Sequence, residues 1–282
     1  MEIKINNVNH IYNEFTPFAK KALDNINLSL ESEKIIGIIG KAGSGKTTLV
    51  ELLNALIIPS YGNVQVADFN IQKNMRLDNI NKLRRKIGLV FQFPEDQFFN
   101  PTVREEVSFA LKTFSYKSDR LHKQVSESLK LVGLDDNYLE RKVSSLSGGE
   151  KRKVAIASVM VFNPKVLVLD EPTVGLDYKS QKKLLHLLKK LRNRYKKTVI
   201  IVSHDVDMLN LIADDIIVMD KGKVVASGTK REVFKNTSLF EKYGLNLPKI
   251  VEFIGKVRKE KGIKLGNHTD VKDLIKDIYR NV

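Results

Sequence analysis

With 282 residues, 42% of them hydrophobic and 29% charged, the chain is long enough for a full hydrophobic core, and its composition excludes wholesale disorder. It has no cysteine, which excludes disulfides, thiolate zinc sites and cysteine nucleophiles, and no apolar run approaches the roughly 20 residues of a membrane-spanning helix. The formal net charge of +15 favours an anionic partner (nucleic acid, an acidic membrane surface or a polyphosphate), although 36 of the 48 basic residues are lysine, which disfavours base-edge readout by arginine.

The start, Met1-Glu2-Ile3-Lys4, lacks the basic-then-apolar layout of a secretory signal, so a cytosolic compartment is expected. Residues 2–5 and 25–30 alternate in polarity and predict half-exposed antiparallel strands. Residues 34–40 form a short apolar run ending in a glycine-rich turn, which opens into an amphipathic stretch over 47–53: strand, loop, helix. Further continuous apolar runs at 87–91, 166–169 and 199–202 predict buried parallel strands with helices between them, an α/β domain. Residues 93–160 contain no such strand. Helical spacing over 103–114, 119–132 and 149–161 predicts an inserted helical subdomain. Residues 216–219 and 223–225 flank Asp220-Lys221-Gly222 as a hairpin, and beyond 236 the chain turns to lysine-rich amphipathic helix punctuated by Gly244, Pro248, Gly262 and Gly266. Residues 70–76 are more polar than their place in this order leads one to expect.

Three segments carry chemistry. Gly40-Lys41-Ala42-Gly43-Ser44-Gly45-Lys46-Thr47, followed by Thr48, fits the phosphate-loop pattern: glycines let backbone N–H groups turn toward phosphates, Lys46 reaches the β and γ oxygens, and the Thr47 hydroxyl suits Mg²⁺. Val166-Leu167-Val168-Leu169-Asp170-Glu171 carries Asp170 out at the end of an apolar strand, placed to hold Mg²⁺ through water. Glu171 follows as the group that polarises an attacking water. Leu146-Ser147-Gly148-Gly149-Glu150 opens a basic helix and makes a second anion site, or else a plain helix cap by Ser147. One chain with one phosphate loop has no evident need of a second anion site. Sharing between two subunits, each Ser-Gly-Gly turn covering the other's loop, is the economical explanation.

In this order, phosphate loop, Gln92, Leu-Ser-Gly-Gly turn, Asp-Glu strand and Ser203-His204, residues 1–235 resemble the ATP-binding cassette (ABC) ATPases. The resemblance implies an ABC-type P-loop NTPase fold with ATP and Mg²⁺ as ligands. It further implies that Gln92 senses Mg²⁺ and contacts a membrane partner, that Ser147, Gly148 and Gly149 clasp the γ-phosphate across a dimer, and that Asp170 and Glu171 are the Mg²⁺-holding and catalytic acids. Asp177 would then lie in the loop that speaks to the opposite subunit, His204 would touch the γ-phosphate, and Tyr12 would stack on adenine. Glu150 departs from the family's usual glutamine; a carboxylate there would either weaken closure over the shared phosphate or point to solvent.

Phe91-Gln92-Phe93-Pro94-Glu95-Asp96-Gln97-Phe98-Phe99, Thr16-Pro17-Phe18 and the tail from Leu245-Asn246-Leu247-Pro248 resemble the energy-coupling-factor branch of that family, especially the second of its two ATPases. That resemblance implies a membrane-peripheral subunit on the cytoplasmic face. Its partners would be a second ABC ATPase, a transmembrane T component and substrate-binding S components for vitamins or other micronutrients. The expected domains are a nucleotide-binding core (1–92 and 161–235), a helical subdomain (93–160) and a dimerisation extension (236–282). Two other readings share the chemistry: another ABC importer with identical cassettes, and a soluble nucleic-acid-associated ATPase. The second is disfavoured because only about a hundred residues, without sustained heptads, separate Lys46 from Ser147. No nucleic-acid partner is expected.

Overall fold

The structure, a computed structural model, describes residues 1–75, 80–113, 118–262, 265, 266, 268 and 271–281. Polarity alternation at the N-terminus builds β1 (Ile3–Tyr12) and β2 (Lys20–Leu30), which pair antiparallel. With β4 (Tyr61–Val66) and β5 (Phe69–Gln72) they form a four-stranded sheet in the order β2-β1-β4-β5. The polar run at 70–75 is accounted for in part by β5, the last strand of that sheet; Arg76 lies outside the described residues.

The continuous apolar runs fold as β3 (Ile35–Gly40), β6 (Ile87–Val90), β7 (Val166–Asp170) and β8 (Thr198–Val202). With β9 (Asp215–Asp220) and β10 (Lys223–Thr229) they make a six-stranded sheet, order β10-β9-β3-β8-β7-β6, parallel except for the β9–β10 hairpin. Their side chains alternate between two cores, which is why the runs show no polar face. Ile36, Ile38, Val166, Val168, Ile200 and Val202 pack toward the antiparallel sheet and helix α1 (Lys46–Leu53). Ile35, Ile39, Leu167, Leu169, Val199 and Ile201 face the opposite way, into a second cluster.

That second cluster is continuous with the helices at 103–160. Helix α2 (Ile80–Lys86) precedes β6, and α3 (Val103–Thr113), α4 (Ser118–Leu131) and α5 (Gly148–Met160) follow it. The expected helix at 103–114 is α3; Phe114 lies outside the described residues. Val107, Leu129 and Val154 from these helices share one core with Leu167 and Ile201 of the sheet, so α5 packs against strands as well as helices. Helices α6 (Tyr178–Tyr195) and α7 (Val206–Ile212) close the same face.

Four helices follow the hairpin: α8 (Lys230–Lys235), α9 (Thr237–Tyr243), α10 (Lys249–Lys261) and α11 (Val271–Asn281). Phe234 and Phe240 are fully buried in the main core, their rings 5.7 Å apart. Ile254, Leu265 and Leu274 form a separate small core between α10 and α11. No helix of the described residues is long and apolar enough to cross a membrane.

Candidate active site

Three parallel strands, β3, β8 and β7, lie side by side, and the loops leaving their C-terminal ends carry the candidate residues. At the end of β3 the chain turns through Gly40, where a Cβ would lie 2.3 Å from the Met219 carbonyl oxygen; only glycine fits this approach to β9. Gly43, at φ 75°, has open space where a side chain would stand, leaving a concave run of backbone before the N-terminus of α1. Lys46 Nζ lies at the centre of this loop, donating to Gly40 O and Lys41 O at 2.8 Å each and approaching Ser44 Oγ at 3.4 Å. Burial pushes the Lys46 ammonium down from its ordinary value, and the charges of Glu171 and Asp170 oppose that shift.

Thr47 and Asp170 meet directly. Thr47 Oγ1 donates to Asp170 Oδ2 at 2.9 Å, joining the first turn of α1 to the end of β7. Burial raises the Asp170 carboxyl, the Thr47 hydrogen bond opposing. A hydroxyl and a carboxylate are hard oxygen donors. Magnesium is bound through one or two such protein ligands together with phosphate oxygens and water, so this pair fits Mg²⁺. Among the described residues no group of three or more His, Asp or Glu could hold a metal ion. Gln92 stands two residues past β6, at the same C-terminal end of the sheet as Asp170; it is exposed, and among the described residues no hydrogen bond ties it to Thr47 or Asp170.

Glu171 leaves β7 in the left-handed region, φ 45°, with its N–H donating to Val202 O at 2.8 Å. For a non-glycine residue this conformation is uncommon and is held by its surroundings. Those surroundings come from the end of β8. Oε1 accepts from His204 N at 3.0 Å and pairs with His204 Nδ1 at 2.8 Å, and Oε2 accepts from the Ser203 hydroxyl at 3.0 Å. Glu171 and His204 thus form a carboxylate–imidazole pair. With Nδ1 turned to Glu171, the exposed edge of the ring leaves Nε2 to meet a ligand. Ser203, fully buried, is a participant that the sequence reading passed over.

Tyr12 is 36% exposed, with its ring edge-on to His10 and its hydroxyl sharing a hydrogen bond with Thr48 Oγ1 at 3.1 Å and donating to Glu51 at 3.3 Å. These contacts fix the ring beside α1. Burial is the main cause of its raised phenol value.

The Ser147 turn lies apart. Among the described residues no hydrogen bond or ion pair joins Ser147–Glu150 to the chain's own phosphate loop. Ser147 caps α5, and Glu150 completes a capping box: its carboxylate accepts from Ser147 N and Oγ at 2.8 Å and from the Tyr138 hydroxyl at 2.7 Å. Tyr138 first, then Ser147, hold the Glu150 carboxyl down at about 2. Glu150 therefore folds back on its own helix end, leaving the Gly148 and Gly149 N–H groups among the unpaired donors of the first turn. Asp177 caps α6 through Ser180, accepting at 2.9 Å from its N–H and at 2.7 Å from its hydroxyl. Gly149 packs so closely on Ser180 that a Cβ would lie 2.6 Å from its hydroxyl oxygen.

A further residue missed in the sequence is Arg152, 1% exposed, which donates to Pro172 O and Val174 O at 3.1 and 3.2 Å and pairs with Glu95 at 3.1 Å. Its place in Lys151-Arg152-Lys153 suggests a solvated charge. The signal was its spacing, four and eight residues ahead of the buried Ile156 and Met160.

A family model described as ABC transporter matches residues 23–174. The "Energy-coupling factor transporter ATP-binding protein EcfA2" of Caldanaerobacter subterraneus is 42% identical over 92% of this chain and 90% of that protein; the protein of the same name from Clostridium perfringens is 40% identical over 100% and 99%. The structure of cbiO1 from Clostridium perfringens, part of the ABC transporter complex cbiONQ, superposes with a TM-score of 0.75 at 34% identity, over 90% of this chain and 98% of that one. The ATP-binding cassette MJ0796, a dimer in a post-hydrolysis state with ADP and Pi, superposes with a TM-score of 0.71 at 32% identity, over 80% and 98%. This chain belongs to the ABC transporter ATPases and, among them, to the ATP-binding proteins of energy-coupling factor transporters.

Proposed function

We propose that the chain binds and hydrolyses ATP at Gly40–Thr48 to power an energy-coupling factor importer from the cytoplasmic face of the membrane. In this reading it pairs with a second ABC ATPase and docks on a transmembrane T component that carries S components for vitamins or other micronutrients. The observation that carries it is the convergence on one sheet edge of Lys46, the Thr47–Asp170 pair and Glu171 held by Ser203 and His204.

Each group then has a task. Backbone N–H groups of the loop and the α1 N-terminus bind the β- and γ-phosphates, and Lys46 neutralises charge between them. Thr47 and Asp170, with Gln92 nearby, would hold Mg²⁺, which supplies charge neutralisation on the phosphates. Glu171 takes a proton from the attacking water, and Ser203 and His204 N keep its carboxylate in place. His204 Nε2 faces the γ-phosphate, and Tyr12 offers its ring to adenine. Ser147, Gly148 and Gly149 act on the nucleotide of the opposite subunit, and Asp177 lies at the same contact. Segments 1–92 and 161–235 serve as the nucleotide-binding core, 93–160 as the helical subdomain, with the T component received in the groove between the two, and 236–282 as the association segment.

The test is purification in mild detergent from cells expressing the tagged chain, followed by ATP-driven uptake in proteoliposomes. Recovery of a second ATPase and a transmembrane protein, with uptake abolished by Glu171→Gln while ATP binding persists, is expected. A chain that hydrolyses ATP at full rate as a strict monomer, indifferent to replacement of 147–149, would falsify the shared-site reading.

A further inference from the structure

Other buried or half-buried lysines are closely tied: Lys34 to Asp215 at 2.8 Å, Lys197 to the Asn163 side chain and Pro164 O, and Lys230 to Asn210 O at 2.9 Å. A cleft between α6, the start of α5 and the end of α4 departs from this. Its volume is about 360 Å³, and its lining includes Lys153, Lys182, Lys183, His186 and Lys190. The floor includes the buried Val132 and Leu187. Among the described residues none of these lysines pairs with a carboxylate. Lys182 lies over the Tyr178 ring and Lys190 over that of Tyr195, while Lys153 Nζ donates to Gly133 O at 3.3 Å.

Lys153 is the informative residue. It is half-buried, and both that burial and the neighbouring Lys183 charge push its ammonium below its ordinary value. Glu150, the one carboxylate that opposes the shift, is already committed to Ser147 and Tyr138. With a single bond of 3.3 Å to a carbonyl and a like charge beside it, this partly desolvated cation is stabilised by a counter-charge brought to the cleft. Lys153 and Lys183 also line a second, smaller cavity, of about 140 Å³, whose other walls include Ser147, Gly149 and Ser180. The basic cleft is therefore adjacent both to the Ser147 turn and to the Asp177 cap.

We propose that this cleft binds an anion bearing two or more phosphate groups, with Lys153 and Lys183, which line both cavities, as its principal ligands and Lys182, His186 and Lys190 along the rim. Four lysines around one cleft call for more than one negative charge, and flexible ammonium groups suit phosphate oxygens as point charges. An anion held there bridges α5 to α6, the helices capped by Ser147 and Asp177, and so stiffens the two elements that meet a partner cassette. Binding in the cleft does not depend on whether the cassette hydrolyses ATP; its consequence for closure does.

The phosphate loop would itself take up a polyphosphate, so the chain for the test is the full-length Lys46→Ala variant. It is titrated with inorganic tripolyphosphate by calorimetry and, separately, mixed with phosphatidylcholine vesicles with and without cardiolipin, a lipid with two phosphates. Binding to one of these probes is expected, weakened at least about tenfold by Lys153→Gln with Lys183→Gln and less by the rim pair Lys182→Gln with Lys190→Gln. Binding of tripolyphosphate identifies a free ligand, and binding of cardiolipin vesicles alone identifies a lipid headgroup. No binding to either, or binding that neither lysine pair alters, overturns the proposal. ATP binding by the Lys153→Gln, Lys183→Gln chain with Lys46 intact shows that the fold and the nucleotide site survive, so failure of the cleft is distinguishable from failure of the ATPase reading.

Discussion

Arg152 Nη2 and Glu95 Oε1 meet at 3.1 Å, tying helix α5, which begins at the Ser147 turn, to the short helical turn at 94–97 that follows Gln92. The same guanidinium holds the carbonyls of Pro172 and Val174 in the loop between Glu171 and Asp177. One buried side chain therefore joins α5, the turn that follows Gln92 and the chain just beyond Glu171. In the dimer proposed above, a displacement of α5 would reach both loops through these bonds.

Replacing Arg152 by methionine keeps the length of the side chain but strands the Glu95 carboxylate and two carbonyls. Breaking a buried pair in this way typically costs about 3–5 kcal/mol, and urea unfolding should show a loss of that order. Glu95→Gln, which retains an acceptor for the guanidinium, should cost about 1–2 kcal/mol. Equal effects of the two variants would mean that Glu95, not the pair of carbonyls, is what Arg152 holds.

The Ser203 hydroxyl bond to Glu171 predicts a separation of binding from turnover. Glu171→Gln should lower the rate of phosphate release by about 10²–10⁴-fold with ATP affinity kept. Ser203→Ala leaves the two His204 contacts on Oε1 and frees Oε2, so a decrease of about tenfold in kcat with little change in KM is expected. A fall in ATP affinity in place of kcat would assign Ser203 to packing instead.

Much of this site is legible in the sequence because its parts are local. The Gly40–Thr47 spacing, the apolar run before Asp170 and the Ser203-His204 step each sit within a few residues, and the strands that carry them are buried on both faces. What was not legible depends on contacts far apart in the chain. The basic triplet 151–153 looks uniformly solvated, yet Arg152 is enclosed by residues 20 and 57 positions away. Glu150 could be read as facing a partner's phosphate or solvent, because its true neighbour, Tyr138, lies in a separate turn. The tail boundary near 236 follows composition, whereas packing places Phe240 in the main core.

Glu150 also gives the fold a defined acid response. Its carboxyl titrates near 4.5 when free and at about 2 in the folded chain. A depressed folded value means stabilisation that is present above about pH 4.5 and is lost as pH falls toward 2, where the unfolded chain binds the proton first. Glu150→Gln can still cap Ser147 but has no charge to lose. Urea midpoints of the two chains should therefore differ most at pH 6 and converge toward pH 3, and a gap that stays constant over that range would contradict the assignment.

The C-terminal helices divide into an anchored part and a projecting part. Cutting before Thr237 removes Phe240, and losing a buried phenylalanine costs about 3–5 kcal/mol, so the shortened cassette should melt several degrees lower. Cutting after Pro248 removes α10, α11 and their small core of Ile254, Leu265 and Leu274, together with the partly buried Val251 on the main core and the Lys249 N–H bond to Asp207, so the melting temperature of the cassette should fall by less than on cutting before Thr237. On α11, Val271, Ile275 and Tyr279 recur every fourth residue and are exposed, a second apolar stripe beside the Leu274 face that packs on α10. If this stripe carries association with the second ATPase, Ile275→Asp should reproduce the effect of the Pro248 truncation on complex formation in a pull-down while ATP binding is preserved. Full recovery of the partner by both chains would place the contact elsewhere, on the face that carries Ser147 and Asp177.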